Sequence, residues 1–408
     1  MASAHHADEK VAAVVIGSEL NGLGVVRSMA RERVPIIAVD TASSRAALWS
    51  RHAKSRLFRS FIGREFVDDM IRLGKEFEHP PVLLLTAEEA VRSVSENRDE
   101  LSKWFRFRLP TDEKVKLLSS KAQFHDFALR HDFPVPRTAI LESRSDIGLL
   151  DQLRFPCVLK PDDKRNVLSG QKERAVRVGS LRDARAHASA MLGTPGGIVA
   201  QEWIEGPESN IYFTLFYRGA DGHIAGVFTG RKIACYPRDV GSTAVCIAAP
   251  EAREALEPLT LAFAERAGFD GMGSMEYKWD ENRKAFFMVE PTVGRTDWQE
   301  EIATLCGVNL PVAAYRYELG LPVVHDGSGR VPAAWRATFI DRAPRALLTA
   351  HTKVVDGYFR WNDPLPALKF YCLDHPLRRI IRRWHKRNQE RDGNASLNEA
   401  AECEGSTQ

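Results

Sequence analysis

The chain has 408 residues, 44% of them hydrophobic, which is enough for two or three domains and a large core. Its formal net charge is only +3, so no global field argues for nucleic acid. The six cysteines (Cys157, Cys235, Cys246, Cys306, Cys372 and Cys403) form no CxxC or Cys/His cluster. That pattern argues against a disulfide framework or a structural zinc and fits free thiols in a reducing, cytoplasmic setting. Residues 1–10 lack the apolar core of a signal peptide, and apolar runs such as 11–16 and 82–85 are far too short to span a bilayer.

Residues 11–16 read as a buried strand. A glycine-containing turn over 17–24 (GSELNGLG), a helix over 25–32 and a strand over 34–39 ending at Asp40 follow. This βαβ opening predicts a parallel sheet. A helix over 66–77 and a strand over 81–85 complete one α/β domain in residues 1–110. The glycines mimic a dinucleotide fingerprint. Their spacing is Gly-x4-Gly-x-Gly rather than G-x-G-x-x-G, so they are expected to permit a tight turn facing a second substrate.

Thr111-Asp-Glu opens a helix, because Thr or Asp caps it and acids suit the N-terminal dipole. A helix over 122–131 stops at Pro134-Val-Pro136. Strands over 155–160 and 198–204 flank a helix over 180–191. Residues 210–218 and 223–229 alternate as strands, a helix runs over 250–267, and 273–279 pairs with 285–290 as a hairpin. Helices over 298–306 and 311–319 follow. The expected divisions are 111–200, 201–325, an extension over 326–387, and a polar tail over 388–408 without apolar periodicity. Residues 376–387 (PLRRIIRRWHKR) read as a helix docked on the body with a solvated basic face. The rival reading is weak contact with an anionic membrane surface.

Three segments carry chemistry. Lys160 ends an apolar strand and can reach a phosphate as a point charge. Gln201-Glu202-Trp203-Ile204 leaves the core as a strand whose backbone can meet the edge of a base, and Glu208 follows a Gly-Pro turn. Glu276 and Glu290 fall on the two arms of the predicted hairpin, where they would share Mg2+ through hard oxygen ligands. Glu290 ends the run AFFMV, where an acid beside a core needs a partner. Arg295 suits a transferring phosphoryl group or an oxyanion, or else a salt bridge to Glu290. Arg231, Tyr236 and Arg238 are candidates for meeting a substrate carboxylate.

In this order, the segments from about 111 to 320 resemble the ATP-grasp superfamily. The local pattern is similar to D-alanine–D-alanine ligase-like sequences, and the whole pattern more so to carboxylate–amine ligases related to D-aspartate ligase. The fold class implied is α/β (α+β in the nucleotide-binding part): an N-terminal Rossmann-like pre-ATP-grasp domain followed by a two-lobed ATP-grasp domain. The resemblance implies ATP with Mg2+, or Mn2+ in its place. It places Lys121, Lys160 and Lys232 on the phosphates, Gln201 and the backbones of Glu202 and Ile204 on adenine, and Glu208 on the ribose. It places Glu276, Glu290 and Thr292 on the metal, and Arg295 on the oxyanion. The implied activity joins a small-molecule carboxylate to an amine through an acyl phosphate. A catalytically inactive ATP-binding regulatory protein is the alternative. No nucleic-acid partner is expected, and a homodimer is compatible with this reading. Three departures stand out. Glu290-Pro-Thr292 replaces the usual Glu-x-Asn, and Arg295 falls one residue late. The loop 162–174 is charged rather than Gly/Ser-rich, with Lys164, Arg165 and Lys172 as substitutes for backbone N–H groups.

Overall fold

The computed structural model describes residues 10–162, 175–192, 197–237, 241–324, 333–338 and 353–374. Lys164, Arg165, Lys172, Arg238, the basic stretch 376–387 and the tail 388–408 lie outside the described residues. No helix among the described residues is long and apolar enough to cross a membrane.

The N-terminal sheet has four parallel strands, β1 (Ala13–Ile16), β2 (Ile36–Asp40), β3 (Lys54–Leu57) and β4 (Val82–Leu85), in the order β3-β2-β1-β4. β1, β2 and β4 are buried at every residue, as continuous apolar runs covered on both faces should be. The strand order reverses between β1 and β4. That switch point opens a crevice beyond their carboxyl ends, where open α/β sheets bind ligands.

The first helix is Leu20–Met29, which begins inside the expected glycine turn. Only Gly17, at φ +94°, makes the turn. A Cβ on Gly22 would lie 2.0 Å from the Gly17 carbonyl oxygen, and one on Gly24 would lie 3.2 Å from Glu301 Cβ. The last two glycines therefore serve close helix packing, not a substrate-facing turn. Asp40 is also committed, accepting from the amides of Ser18 (2.6 Å), Thr41 (2.7 Å) and Ala42 (3.1 Å). A carboxylate engaged in this way does not read a nucleotide ribose, which removes the dinucleotide-fingerprint alternative.

A small antiparallel sheet follows, built from β5 (Thr138–Leu141), β6 (Cys157–Pro161), β7 (Val176–Val178) and β8 (Ile198–Glu202) in the order β5-β8-β6-β7. Helix Leu181–Met191, capped by the Ser180 hydroxyl, packs with it. Since β8 runs to Glu202, the end of this lobe lies past the expected boundary at 200.

The second lobe is a seven-stranded sheet. Its strands are β9 (Ile211–Arg218), β10 (Ile224–Tyr236), β11 (Ser242–Ala248), β12 (Gly271–Asp280), β13 (Ala285–Val293), β14 (Ala333–Arg336) and β15 (Lys353–Asp356). They are ordered β13-β12-β9-β10-β11-β14-β15. β14 and β15 come from the expected extension, yet β14 pairs with β11 and so completes this sheet. The segment then turns back onto the N-terminal domain. Fully buried Asp363 accepts from Arg27 Nε (3.0 Å), Ser50 Oγ (3.0 Å) and the Arg51 amide (3.0 Å).

Two apolar cores join the N-terminal domain to the second lobe. One runs from Val14 and Phe66 to Phe269 and Tyr277, the other from Val15 and Leu23 to Phe213 and Trp335. The first lobe keeps a separate core around Leu141, Leu150, Leu159 and Ala188.

Candidate active site

β12 and β13 form an antiparallel hairpin in which Glu276 and Glu290 are direct cross-strand partners. Like charges set opposite one another on a sheet are unfavourable, so this pairing calls for a cation between or beside them. Lys232, buried on β10, supplies one by ion-pairing with Glu276. Burial opposes the Lys232 charge, but Glu276 outweighs it and holds the ammonium above its ordinary range.

β13 continues to Thr292, whose hydroxyl donates to Asp297 Oδ2 at 2.7 Å. Arg295 Nη1 donates to Asp297 Oδ1 at 2.8 Å, and Arg295 Nη2 lies 3.6 Å from Glu88 Oε2. Arg295 thus pairs with Asp297 and Glu88. Burial alone would raise the Asp297 carboxyl; Arg295, Thr292 and Lys232 instead pull it below the usual carboxylate range. Asp297 and Glu88 were not among the sequence candidates. Neither belongs to the Glu-x-Asn pattern, and an isolated acid gives no signal until its partners are known.

The first lobe builds the opposite wall. At the end of β6, Lys160 Nζ donates to Gln201 Oε1 (3.2 Å), and Gln201 Nε2 donates to Thr138 Oγ1 (3.2 Å). Lys121 opens helix Lys121–Arg130 and donates to the Asp162 carbonyl at 3.2 Å. The Glu202 amide donates to Arg137 O at 2.9 Å, so its backbone has only the carbonyl left to offer a base. The Glu202 side chain receives the Arg154 amide at 3.3 Å. Lys278, also absent from the candidates, fixes the turn that follows by donating to Gly206 O (3.1 Å) and Pro207 O (2.8 Å).

These groups share one cavity of about 420 Å³, a volume suited to a small-molecule ligand. Lys121, Lys160, Gln201, Glu202, Ile204, Lys232, Glu276, Glu290, Thr292 and Arg295 all line it. Glu208 does not; its Oε2 accepts from the Cys235 amide at 3.0 Å, which ties the Gly-Pro turn to β10. Arg231 is likewise outside the wall, paired with Glu251 at 3.4 Å and Tyr212 at 3.3 Å, and Tyr236 is exposed. Gly241, Ser242 and Thr243 do line the cavity, facing it together with Glu88 and Arg92 from the N-terminal domain.

Among the described residues, no three His, Cys, Asp or Glu side chains are arranged to hold a metal ion by themselves. Two facing glutamates nevertheless fit Mg2+. That ion takes one or two protein carboxylates and completes its octahedral shell with phosphate oxygens and water.

No family model matches the chain. Over 323 residues it is 24% identical to the D-aspartate ligase of Enterococcus faecium (strain Aus0004), covering 74% of this chain and 75% of that protein. Its structure is similar to N5-carboxyaminoimidazole synthetase from Staphylococcus aureus complexed with ADP. The TM-score there is 0.63 at 12% identity, covering 79% of this chain and 81% of the other. The chain has the ATP-grasp fold. Biotin carboxylase from Campylobacter jejuni shares it at TM-score 0.59 and 15% identity, covering 80% of this chain and 75% of the other. In ATP-grasp terms, β5–β8 form the first lobe, β9–β15 the second, and β1–β4 the preceding Rossmann-like domain.

Proposed function

We propose that this protein is an ATP-dependent carboxylate–amine ligase. The observation that carries the reading is the cross-strand pair Glu276–Glu290, set in a cavity that also holds Lys121, Lys160, Lys232 and Arg295. Such a set neutralises and aligns a triphosphate, which is most of what phosphoryl transfer requires. Lys160 and Lys121 reach the phosphates from the first lobe and Lys232 from the second. Gln201, the Glu202 carbonyl and Ile204 face the base. Glu276 and Glu290 hold Mg2+, with Mn2+ as a substitute, and Thr292 adds a neutral oxygen. The metal, when bound, bridges phosphate oxygens and offsets their developing charge.

The substrate carboxylate oxygen attacks the γ-phosphorus, the β,γ-bridging oxygen leaves on ADP, and an acyl phosphate forms. An amine nitrogen then attacks the acyl carbon and gives up a proton. The C–O bond breaks with its electron pair on phosphate. Arg295, held by Asp297 and Glu88, steadies the oxyanion. No enzyme nucleophile is needed.

The rival is an ATP-binding regulator that turns nothing over. It is favoured by the direct Lys232–Glu276 pair and by Thr292 in the place of Asn. The deciding experiment incubates the protein with Mg-ATP and a panel of acids, using hydroxylamine to trap acyl phosphate. Acid-dependent ADP release with hydroxamate formation supports the ligase; nucleotide binding with neither product supports the regulator.

A further inference from the structure

We infer that Arg92 anchors a second anionic group on the acid to be activated, so that this substrate is a dicarboxylate or an acid of equivalent charge. The inference rests on the ligase reading and narrows its substrate class. It starts from the switch point of the N-terminal sheet, where helix Glu88–Glu96 begins just beyond β4. Glu88 and Arg92, one turn apart, both face the cavity.

From there a row of alternating charge crosses to the second lobe. Arg92 Nη2 lies 4.0 Å from Glu88 Oε1, and Glu88 Oε2 lies 3.6 Å from Arg295 Nη2. Arg295 Nη1 donates to Asp297 at 2.8 Å, and Asp297 accepts from Thr292 at 2.7 Å, two residues from Glu290. The interior members of the row each have a partner on both sides. Arg92 ends it, and its single ion pair is too long for a hydrogen bond. Among the described residues the Arg92 guanidinium meets no hydrogen-bond acceptor, although only 20% of its side chain is exposed.

A guanidinium carries five N–H donors in a fixed fork, and leaving them unmatched in a largely buried place is unfavourable. The fork matches the two oxygens of a carboxylate. The cavity wall from β11 and the segment after β13 adds neutral donors without further negative charge. Gln299 Oε1 accepts from Thr243 Oγ1 at 3.1 Å, which leaves the Gln299 NH2 to donate, and Ser242 is beside it. A carboxylate seated on Arg92 completes the row, while the reacting carboxylate of the same molecule points along it toward Glu290 and the phosphates.

The test titrates the full-length protein, loaded with Mg-ADP, with succinate, aspartate and glutamate (both enantiomers of each amino acid) and with butyrate and alanine as single-carboxylate controls. Calorimetry should show binding of at least one dicarboxylate and at least about tenfold weaker binding of the controls. Arg92→Gln should weaken the dicarboxylate by roughly 10–100-fold and leave ADP affinity unchanged, as the loss of a charge-assisted hydrogen-bonded pair predicts. Arg92→Lys should recover part of the loss. The unchanged ADP affinity also shows that the variant has folded. Equal binding of succinate and butyrate, a preference that survives Arg92→Gln, or no dicarboxylate binding would overturn the inference and leave the ligase reading intact. Failure of the wild-type protein to take up Mg-ADP would show in the loading step and would overturn both.

Discussion

The two lobes of the cavity are built to different standards of rigidity. The second lobe shares two apolar cores with the N-terminal sheet and is also bound to it by the returning segment that buries Asp363. The first lobe has its own small core. The chain enters that lobe near Pro134, whose carbonyl accepts from the Met288 amide at 2.7 Å. It leaves through the Gly206–Pro207 turn held by Lys278. Groups that must keep fixed separations during chemistry (Glu276, Glu290, Arg295, Asp297) therefore sit in the consolidated body. Lys160 and Gln201, which grip the nucleotide, sit on an element free to rock about two crossings. Closure of one lobe on another is a common way to exclude water and complete a site.

The largest effect should come from the consolidated side. Glu290→Gln removes one of two carboxylates facing the metal, and we expect acid-dependent ADP release to fall by about 10³-fold, in line with loss of a group acting on transition-state charge. The melting temperature should hold or rise, because a like-charge cross-strand pair is relieved. Turnover at the wild-type rate would remove Glu290 from the chemistry. Next in size is Asp363→Ala, which strands Arg27 as a buried charge with its main partner gone. Breaking such a pair costs about 3–5 kcal/mol. Denaturant unfolding should show that loss together with reduced turnover, since the extension fastens the N-terminal domain to the β14 side of the second lobe. A loss in the range of an exposed ion pair would show that the apolar cores alone hold the two units together.

Much of this contrast was legible in the sequence, and the illegible part has a physical cause. Local pattern sufficed for the 13–16 and 36–40 strands, the Ser180 cap and the Glu276–Glu290 hairpin, because periodicity and turn chemistry act over a few residues. β3 was missed since its residues, KSRL, are all exposed and carry no apolar alternation. β14 and β15 were missed because pairing with a strand about ninety residues earlier leaves no local trace. The glycine run was read as a turn, whereas the reason for Gly22 is the approach of one carbonyl oxygen. At the site, the residues that fit a known spacing could be nominated in advance. Asp297, Glu88 and Arg92 could not, since each takes its meaning from a partner on another element. Glu208 shows the converse, a residue in the expected place whose side chain is taken by the Cys235 amide.

A pH series sharpens the comparison further. Glu300 lies in the contact between helix Glu300–Leu305 and helix Leu20–Met29, fully buried, with Oε2 lacking a hydrogen-bond partner. Burial, helped by the neighbouring Glu301 charge, pushes its carboxyl up to about 8. Between about pH 4.5 and 8 the native state therefore binds a proton that the unfolded chain has lost, so this group's contribution to stability falls as pH rises across that window. Glu300→Gln fixes the neutral form. It should raise the melting temperature at pH 8 and leave it nearly unchanged at pH 4.5; an equal shift at both would mean that Glu300 is ionised in place.

On the first lobe, Lys160→Ala should separate grip from stability. The ammonium has one neutral partner, the Gln201 side chain, at 3.2 Å, and it sits at a strand end rather than in a core. Little folding energy rests on it, whereas a phosphate facing it would gain a charge-assisted hydrogen bond. We expect ADP affinity to drop roughly 10–100-fold, with a melting shift near the limit of detection. The reverse pattern, a lower melting temperature with intact nucleotide affinity, would assign Lys160 to holding β6 against β8. The division between a gripping lobe and a catalytic body would then rest on Lys121 and Lys232 alone.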